Sequence, residues 1–184
     1  NTLDRIKAAE NYTKYIDTLL KNKKNVKGKR LDITNIVANA LERNITDMEK
    51  KIIDSQFNDI LENLGSLDNF IAMVDTSGSM SGHPLLAAIG LGICVAEKSK
   101  LGSRVLTFNR DPTWVNIENK QGVCDKVMTI AQAPWGMNTN FTKALTKILD
   151  ACVEHKLSND EVSELVLVVL SDMQIDSQGN EGLN

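Results

Sequence analysis

The sequence contains little cysteine, and its cysteines form no recognisable framework. There are three in 184 residues: Cys94, Cys124 and Cys152, which are widely spaced and surrounded by apolar residues. Because the number is odd and no two of them form a CxxC pair, neither a disulfide scaffold nor a cysteine metal site is indicated. The pattern favours a reducing, intracellular setting, which we take to be the cytoplasm.

Long hydrophobic runs are also missing. No apolar stretch approaches the ~20 residues needed to cross a bilayer, and no basic opening segment precedes the apolar core of a signal peptide. The sequence therefore predicts no membrane span. Its formal net charge of −3 indicates neither a nucleic-acid-coating protein nor a polyanion mimic. The chain opens with "NTLDRIK", without an initiator methionine, so we expect it to be a piece of a longer protein.

The first 65 residues carry apolar side chains at helical spacing and predict an α-helical segment. Thr46 and Glu49 form a capping box, which marks the start of one helix. Gly65 stands where the C-terminal cap of that helix belongs. A shorter helix is expected around residues 35–42.

From residue 69 onward, short apolar runs alternate with amphipathic stretches. This alternation predicts an α/β domain with a Rossmann-like, open, mostly parallel sheet and helices on both faces. We expect neighbouring strands at residues 70–74, 104–108 and 165–170. The last of them, "LVLVVL", has no polar face and is typical of a central parallel strand, whereas "TWVNI" after "NRDP" is typical of an edge strand in a hairpin. The predicted division is a helical segment over residues 1–67, the tail of a helical domain, and an α/β domain over 68–184.

The stretch "IAMVDTSGSMSGHP" concentrates hydroxyl groups at the end of the first predicted strand. Ligands gather at strand ends in open α/β sheets, because the chain turns there and the next helix presents free N–H groups. Asp75, Ser77 and Ser79 fall at alternate positions, so a tight glycine-bearing loop can turn all three toward one point. Such an oxygen-lined point suits a hard cation such as Mg²⁺.

Three enzyme motifs do not fit this stretch. A P-loop needs a lysine after its glycines, and the first lysine after this stretch is Lys98. A nucleophile elbow needs serine at the position of Met80, and an aspartyl-phosphate enzyme of the dehalogenase type would carry a second aspartate at Ser77. A turn of serine and glycine that caps a helix beginning at Pro84 is the structural alternative, and it stays open.

Two later stretches place further oxygen ligands at the same sheet edge. "WGMNTNFTKAL" carries Thr139 and Asn140 in a polar loop before a helix, and "LVLVVLSDMQID" ends its strand with Asp172. Because parallel strands end at one edge of the sheet, we expect Thr139 and Asp172 to lie near Asp75.

This combination resembles the von Willebrand factor A domain with its metal-ion-dependent adhesion site. The resemblance implies a metal site at Asp75, Ser77, Ser79, Thr139 and Asp172 that binds Mg²⁺, or alternatively Mn²⁺ or Ca²⁺. In that family the hydroxyls usually contact the metal and the aspartates act partly through waters. One vertex stays open for an Asp or Glu carboxylate of a protein partner, so the resemblance implies interaction rather than catalysis.

The resemblance covers residues 68–184 and has two departures. Met173 stands where the family often has glycine. The family's fold also continues for two more strand–helix units, so the resemblance implies that this domain is incomplete and leaves an apolar sheet edge exposed. A hydrolase that uses the metal to activate water is a rival interpretation, but the motif does not supply an obvious general base.

Three residues near the predicted site are candidates for the partner surface. Trp135 and Asn140 lie in the threonine-bearing loop and His83 follows the serine loop. Aromatic residues are enriched at the centres of interfaces. A loop histidine before a helix-starting proline is more commonly an ordinary surface residue, and the expected cation prefers oxygen to nitrogen.

The helical segment resembles the end of the helical domain of the Ro autoantigen and of related uncharacterised intracellular and large-DNA-virus proteins. "WGMNTNF" followed by "SDMQID" is most similar to the uncharacterised set. In the Ro-like proteins the helical part binds RNA, so an RNA-associated scaffold is the alternative function. The candidate contacts are Lys23, Lys24 and Lys27 in the basic loop "KNKKNVKGKR", which contains no aromatic residue to stack on a base.

We expect this basic loop to contribute little to RNA affinity. Neutralising Lys23, Lys24 and Lys27 together should then leave binding weak and nearly unchanged in a salt titration by fluorescence anisotropy. If these lysines contact phosphates, each loss should reduce the salt slope by about 0.7–0.9. Submicromolar RNA binding at physiological salt would contradict the expectation.

Overall fold

The computed structural model describes residues 2–21, 32–134, 136 and 140–172. The basic loop with Lys23, Lys24 and Lys27 lies outside these residues. The helices are α1 Thr2–Lys21, α2 Ile33–Ala40, α3 Asp47–Glu62, α4 His83–Lys98, α5 Gly122–Ala131, α6 Phe141–Glu154 and α7 Asn159–Ser163, and the strands are β1 Phe70–Asp75, β2 Arg104–Phe108, β3 Trp114–Asn116 and β4 Val166–Leu170.

The strands form a four-stranded sheet in the order β3-β2-β1-β4. β1 pairs in parallel with both β2 and β4, and β3 pairs antiparallel with β2. The fold is therefore the predicted mixed α/β type, with an open and mostly parallel sheet preceded by a helical segment. The prediction of "TWVNI" as a hairpin edge strand is confirmed.

Alternate residues of β1 serve two separate cores. Ala72 and Val74 belong to the larger core, which also contains buried residues of α2, α3, α4 and α5. Met73 points to the opposite face and packs in a smaller core with Ala144 and Ile148 of α6. This is the period of two expected of a strand that is covered on both sides.

Helix α4 is packed between β1 and the helical segment, and two of its glycines make the close approach possible. A Cβ at Gly92 would lie 2.6 Å from Cγ2 of Val74, and a Cβ at Gly90 would lie 2.5 Å from Cγ1 of Ile33 on α2. Larger residues there would push α4 away from the sheet or from α2. The helical segment thus shares one continuous core with the α/β part.

The capping box at Thr46 is confirmed, because its Oγ1 accepts from the Glu49 N–H and the Glu49 carboxylate accepts from the Thr46 N–H. The prediction that Gly65 caps this helix is wrong. The helix ends earlier, at Asn63, whose backbone N–H donates to Ile60 O and whose side-chain amide donates to Asp59 O. α2 also starts two residues before the predicted 35–42.

The prediction of a central position for the run at 165–170 is not met by the described sheet. β4 lies at its end, pairs only with β1 among the described strands, and leaves Val166 42% exposed. The α/β domain is also predicted to leave an apolar sheet edge exposed, and Val166 is an exposed apolar residue of β4 at the end of the described sheet. Among the described helices, none has both the length and the apolarity required to cross a bilayer.

Asp54 of α3 connects the helical segment to the α/β part. Its Oδ1 accepts the Val123 N–H at 2.7 Å, and Gln121, at the N-cap of α5, provides no side-chain hydrogen bond. Asp54 therefore supplies the missing cap from another helix. Partial burial raises the pKa of its carboxyl, an effect that the Val123 hydrogen bond opposes.

Two substitutions of Asp54 should separate the stabilisation by its hydrogen bond from the destabilisation by its partly buried charge. Asp54→Ala should lower the free energy of unfolding by about 1–2 kcal/mol, because the α5 terminus loses its acceptor. Asp54→Asn keeps an acceptor without a charge, so at pH 7 it should be at least as stable as the wild type. Urea denaturation measures both.

The pH dependence provides the control. A carboxyl whose pKa is raised by folding binds its proton more tightly in the native state, so its ionisation destabilises the fold as the pH rises above the unfolded value of 3.8. Any advantage of Asp54→Asn at pH 7 should then disappear below about pH 4. An Asn variant as unstable as the Ala variant at pH 7 would contradict this account.

Candidate metal centre at the carboxyl ends of β1 and β4

The sheet reverses its direction of growth at β1. The chain places β2 on one side of β1 and returns, after β3, α5, α6 and α7, to place β4 on the other. α4 follows β1 on one face of the sheet, and α6 precedes β4 on the other. The carboxyl ends of β1 and β4 therefore form a switch point, and ligands bind in the crevice at such a point in open α/β sheets. Asp75 ends β1 at this crevice.

The Asp75 carboxylate is fully buried and is held from both strands. Its Oδ1 accepts the Ser77 N–H at 2.8 Å. Its Oδ2 accepts a hydrogen bond of 2.6 Å from the hydroxyl of Ser171, the residue that directly follows β4. Each carboxylate oxygen has a second lone pair, so these two bonds fix the orientation of the group without exhausting its acceptors.

The two motif serines lie side by side. Ser77 Oγ and Ser79 Oγ are 3.0 Å apart, with Ser77 buried and Ser79 exposed. Two oxygens at right angles around an octahedral ion, each ~2.0–2.1 Å from it, are also about 2.9 Å apart. The same spacing thus fits a hydroxyl–hydroxyl hydrogen bond and two adjacent ligands of one small cation.

The alternative of a serine and glycine turn that caps a helix is met by a glycine and not by a serine side chain. α4 begins at His83, one residue before the predicted Pro84, and Gly82 is its N-cap without a side-chain hydrogen bond. The short 3-10 turn at Gly78–Met80 likewise has no side-chain cap from Ser77. Capping by the Ser77 hydroxyl is therefore not what the described loop shows.

Asp172 lies at the same crevice, two residues after β4. Its backbone N–H donates to Sδ of Met80 at 3.2 Å, which joins the end of β4 to the serine loop. Its side chain belongs to an exposed residue. The loops that carry four of the five predicted ligands, Asp75, Ser77, Ser79 and Asp172, therefore contact one another. The fifth ligand, Thr139, lies outside the described residues, as does Trp135, and both stay predictions.

The other two partner-surface candidates have local roles. Asn140 is the N-cap of α6 and accepts the Lys143 N–H at 2.9 Å through its side-chain oxygen. His83 is exposed, and its Nε2 lies 3.8 Å from Oδ2 of Asp32 in the helical segment. Partner binding by either residue stays a prediction.

Asn109 is a buried residue of this region that the sequence analysis did not select. It follows β2 directly, and its side-chain amide donates to Thr76 Oγ1 at 3.1 Å and to Pro134 O at 2.5 Å. Its backbone oxygen accepts the Asn140 N–H at 3.2 Å. One residue thereby holds both ends of the segment that carries Thr139. A polar residue directly after a buried strand, as in "LTFN", was the available signal.

Gly136 lies in the same segment and pairs with Ser77 through an isolated parallel bridge. A Cβ at this position would lie 2.9 Å from the Asn109 Cβ and 3.0 Å from the Arg110 nitrogen. Glycine is therefore required for the segment to approach the end of β2 this closely.

Charge at the rim is partly balanced. Lys143 Nζ lies 3.0 Å from Oδ1 of Asp111, and this hydrogen bond lowers the pKa of the Asp111 carboxyl. Both side chains are exposed, so the pair adds little stability. Among the described residues no group of three or more His, Cys, Asp or Glu could hold a metal ion. The candidate donor set combines two carboxylates with hydroxyls.

Comparisons with known proteins give a family and one relative. The family described as "Domain of unknown function (DUF7788)" matches residues 69–183. The chain is similar to a protein of Acanthamoeba polyphaga mimivirus named "Uncharacterized protein L728", with 32% identity over 184 residues, 97% of this chain and 31% of the relative. The chain thus spans about a third of that relative's length. No solved structure matches.

Asn109→Ala should destabilise the protein, because it removes two donated bonds and the side-chain oxygen that accepts the Asp111 N–H. We expect a loss of about 1–3 kcal/mol for each buried partner left unsatisfied, measured by urea unfolding. Asn116→Ala is the matched control, since the side-chain oxygen of exposed Asn116 accepts one described hydrogen bond, from the Glu118 N–H. If both substitutions lowered the free energy of unfolding equally, the buried hydrogen bonds of Asn109 would contribute no more to stability than one exposed hydrogen bond.

Proposed function

This chain belongs to the DUF7788 family of domains of unknown function, and from that starting point we propose that it is a metal-ion-dependent protein-interaction module. Its partner offers an Asp or Glu carboxylate, and its setting is the cytoplasm. The proposed role is adhesion-type recognition rather than catalysis.

The observation that carries the proposal is the pair of serine hydroxyls 3.0 Å apart beside a buried and oriented carboxylate. These hydroxyls have no helix-capping role, and they lie at the crevice where the sheet reverses. A buried, oriented carboxylate with hydroxyl oxygens beside it at such a crevice is typical of a binding site.

The donor chemistry fits a hard divalent cation. Ser77 and Ser79 offer neutral hydroxyl oxygens, and Thr139 adds a third in the proposal. Asp75 already accepts two hydrogen bonds, so it would act through a water, as would Asp172. Oxygen-only sites of this kind suit Mg²⁺, and also Mn²⁺ or Ca²⁺.

Charge explains why the partner should be acidic. Asp75 and Asp172 place two carboxyl groups near one point, and in the metal-free protein such groups disfavour an incoming carboxylate. A bound divalent cation cancels both charges and offers an open vertex to a partner's carboxylate oxygen. The two aspartates thereby make recognition of an acidic group depend on the metal.

The metal should stabilise the folded chain. A ligand that binds only the native state adds about 2.7 kcal/mol at a hundredfold excess over its dissociation constant, so Mg²⁺ or Mn²⁺ should raise the melting temperature in a concentration-dependent way. Asp75→Asn should abolish this gain. Asparagine keeps an acceptor for Ser77 N–H and offers a donor to Ser171, so the metal-free fold should survive.

Controls separate the site from general ionic effects. Asp150→Ala removes an exposed carboxylate of α6 and should leave the metal response intact, whereas Ser77→Ala with Ser79→Ala should weaken it. Thr139→Ala should weaken metal binding without loss of stability in the metal-free protein. Acetate should displace water from bound Mn²⁺, detected by water-proton relaxation. Calorimetry that finds no binding at millimolar metal would overturn the proposal.

A further inference from the structure

A cavity lies at the opposite edge of the sheet from the candidate metal centre, at the amino ends of β1 and β2. It measures about 340 Å³, which lies within the range of small-molecule sites. Phe70 and Arg104, the first residues of β1 and β2, line it, and the carboxyl-terminal part of α6 covers it through Ile148 and Cys152. Asp75 ends β1 at the other edge, so the cavity is separate from the candidate metal centre.

The walls of this cavity are mostly apolar. They include five side chains that belong to the smaller core or pack against it, Ile71, Trp114, Ile148, Leu157 and Leu165, together with Phe70, which packs against the larger core. An apolar lining of this size favours the hydrocarbon or aromatic body of a ligand over a sugar or a nucleotide phosphate chain.

The charged side chains of the lining are basic. Lys100 and Arg104 line the cavity together with His155, and none of the described lining residues is acidic. Lys100 is paired with Asp68. Within the described part of the chain, neither Arg104 nor His155 has a carboxylate within salt-bridge distance.

Arg104 contacts two other side chains of the lining. Its guanidinium carbon lies 5.1 Å from the centroid of the Trp114 ring, and its Nη1 lies 3.5 Å from Nε2 of His155. Stacking on an aromatic face leaves the in-plane N–H groups of arginine available for a planar anion. A carboxylate matches that geometry with two parallel hydrogen bonds.

We propose that this cavity binds a small carboxylic acid with an apolar body, whose carboxylate pairs with Arg104. The apolar body contacts the wall formed by Trp114 and Ile148, and His155 provides a neighbouring polar group at the mouth. The cavity is thus a ligand site for an amphipathic monoanion, and it is independent of the proposed metal centre.

Decanoate is a suitable probe, used below its micelle-forming concentration and with EDTA present so that the metal centre plays no part. Isothermal titration calorimetry should show saturable binding to one site. Arg104→Gln should weaken it at least tenfold, a change of ~1.4 kcal/mol. Arg43→Gln, the same change at an exposed residue of the helical segment, should have no effect.

A second variant tests the cavity without altering charge. Ala151 lines it from α6, and Ala151→Phe should fill the space and abolish decanoate binding in a protein whose circular dichroism spectrum is unchanged. Decan-1-ol, which lacks the carboxylate, should bind at least tenfold more weakly than decanoate.

Three results would overturn the proposal. The first is no decanoate binding at millimolar concentration, the second is equal affinity for decanol and decanoate, and the third is tighter binding of decyl phosphate than of decanoate. A failure here would leave the metal titrations unaffected, because those report on the other edge of the sheet.

Discussion

The structure depends on one buried carboxylate. Asp75 has no exposed surface, and its two oxygens accept hydrogen bonds from Ser77 on its own loop and from Ser171 at the end of the neighbouring strand. A buried carboxylate is costly unless its acceptors are satisfied. Its two donors are therefore held in place, and with them the directions in which the chain leaves β1 and β4. The crevice between these strands follows from that constraint.

Packing behind the crevice supports the same arrangement. α4 follows the serine loop and lies against β1 on one side and α2 on the other, with glycine at both contacts. Because the helix is fixed from two directions, the loop before it has little freedom to move relative to the sheet. The N-terminal helices thus contribute to the geometry of the site through α4.

Much of the fold was predictable because its signals are local. The apolar runs of β1 and β2, the hairpin strand β3 and the Thr46 capping box all depend on neighbours within a few residues. The prediction that Gly65 caps α3 failed because a glycine after a helix does not by itself fix where the helix ends. The C-cap of α3 is Asn63, whose side-chain amide donates to Asp59 O. The position of β4 depends on strand pairing, which its uniform apolar sequence does not encode. In the site, Asp75 and the serines followed from a compact motif. Ser171 and Asn109 are missing from the prediction because their partners lie 96 and 33 residues away in the sequence.

The anchoring by Asn109 has a consequence for how the crevice can be altered. Since one residue joins Pro134 and Asn140, the entropy of closing the segment between them is already met by the scaffold. Loss of Asn109 would therefore release both anchored ends at once and return that entropic cost to the segment itself.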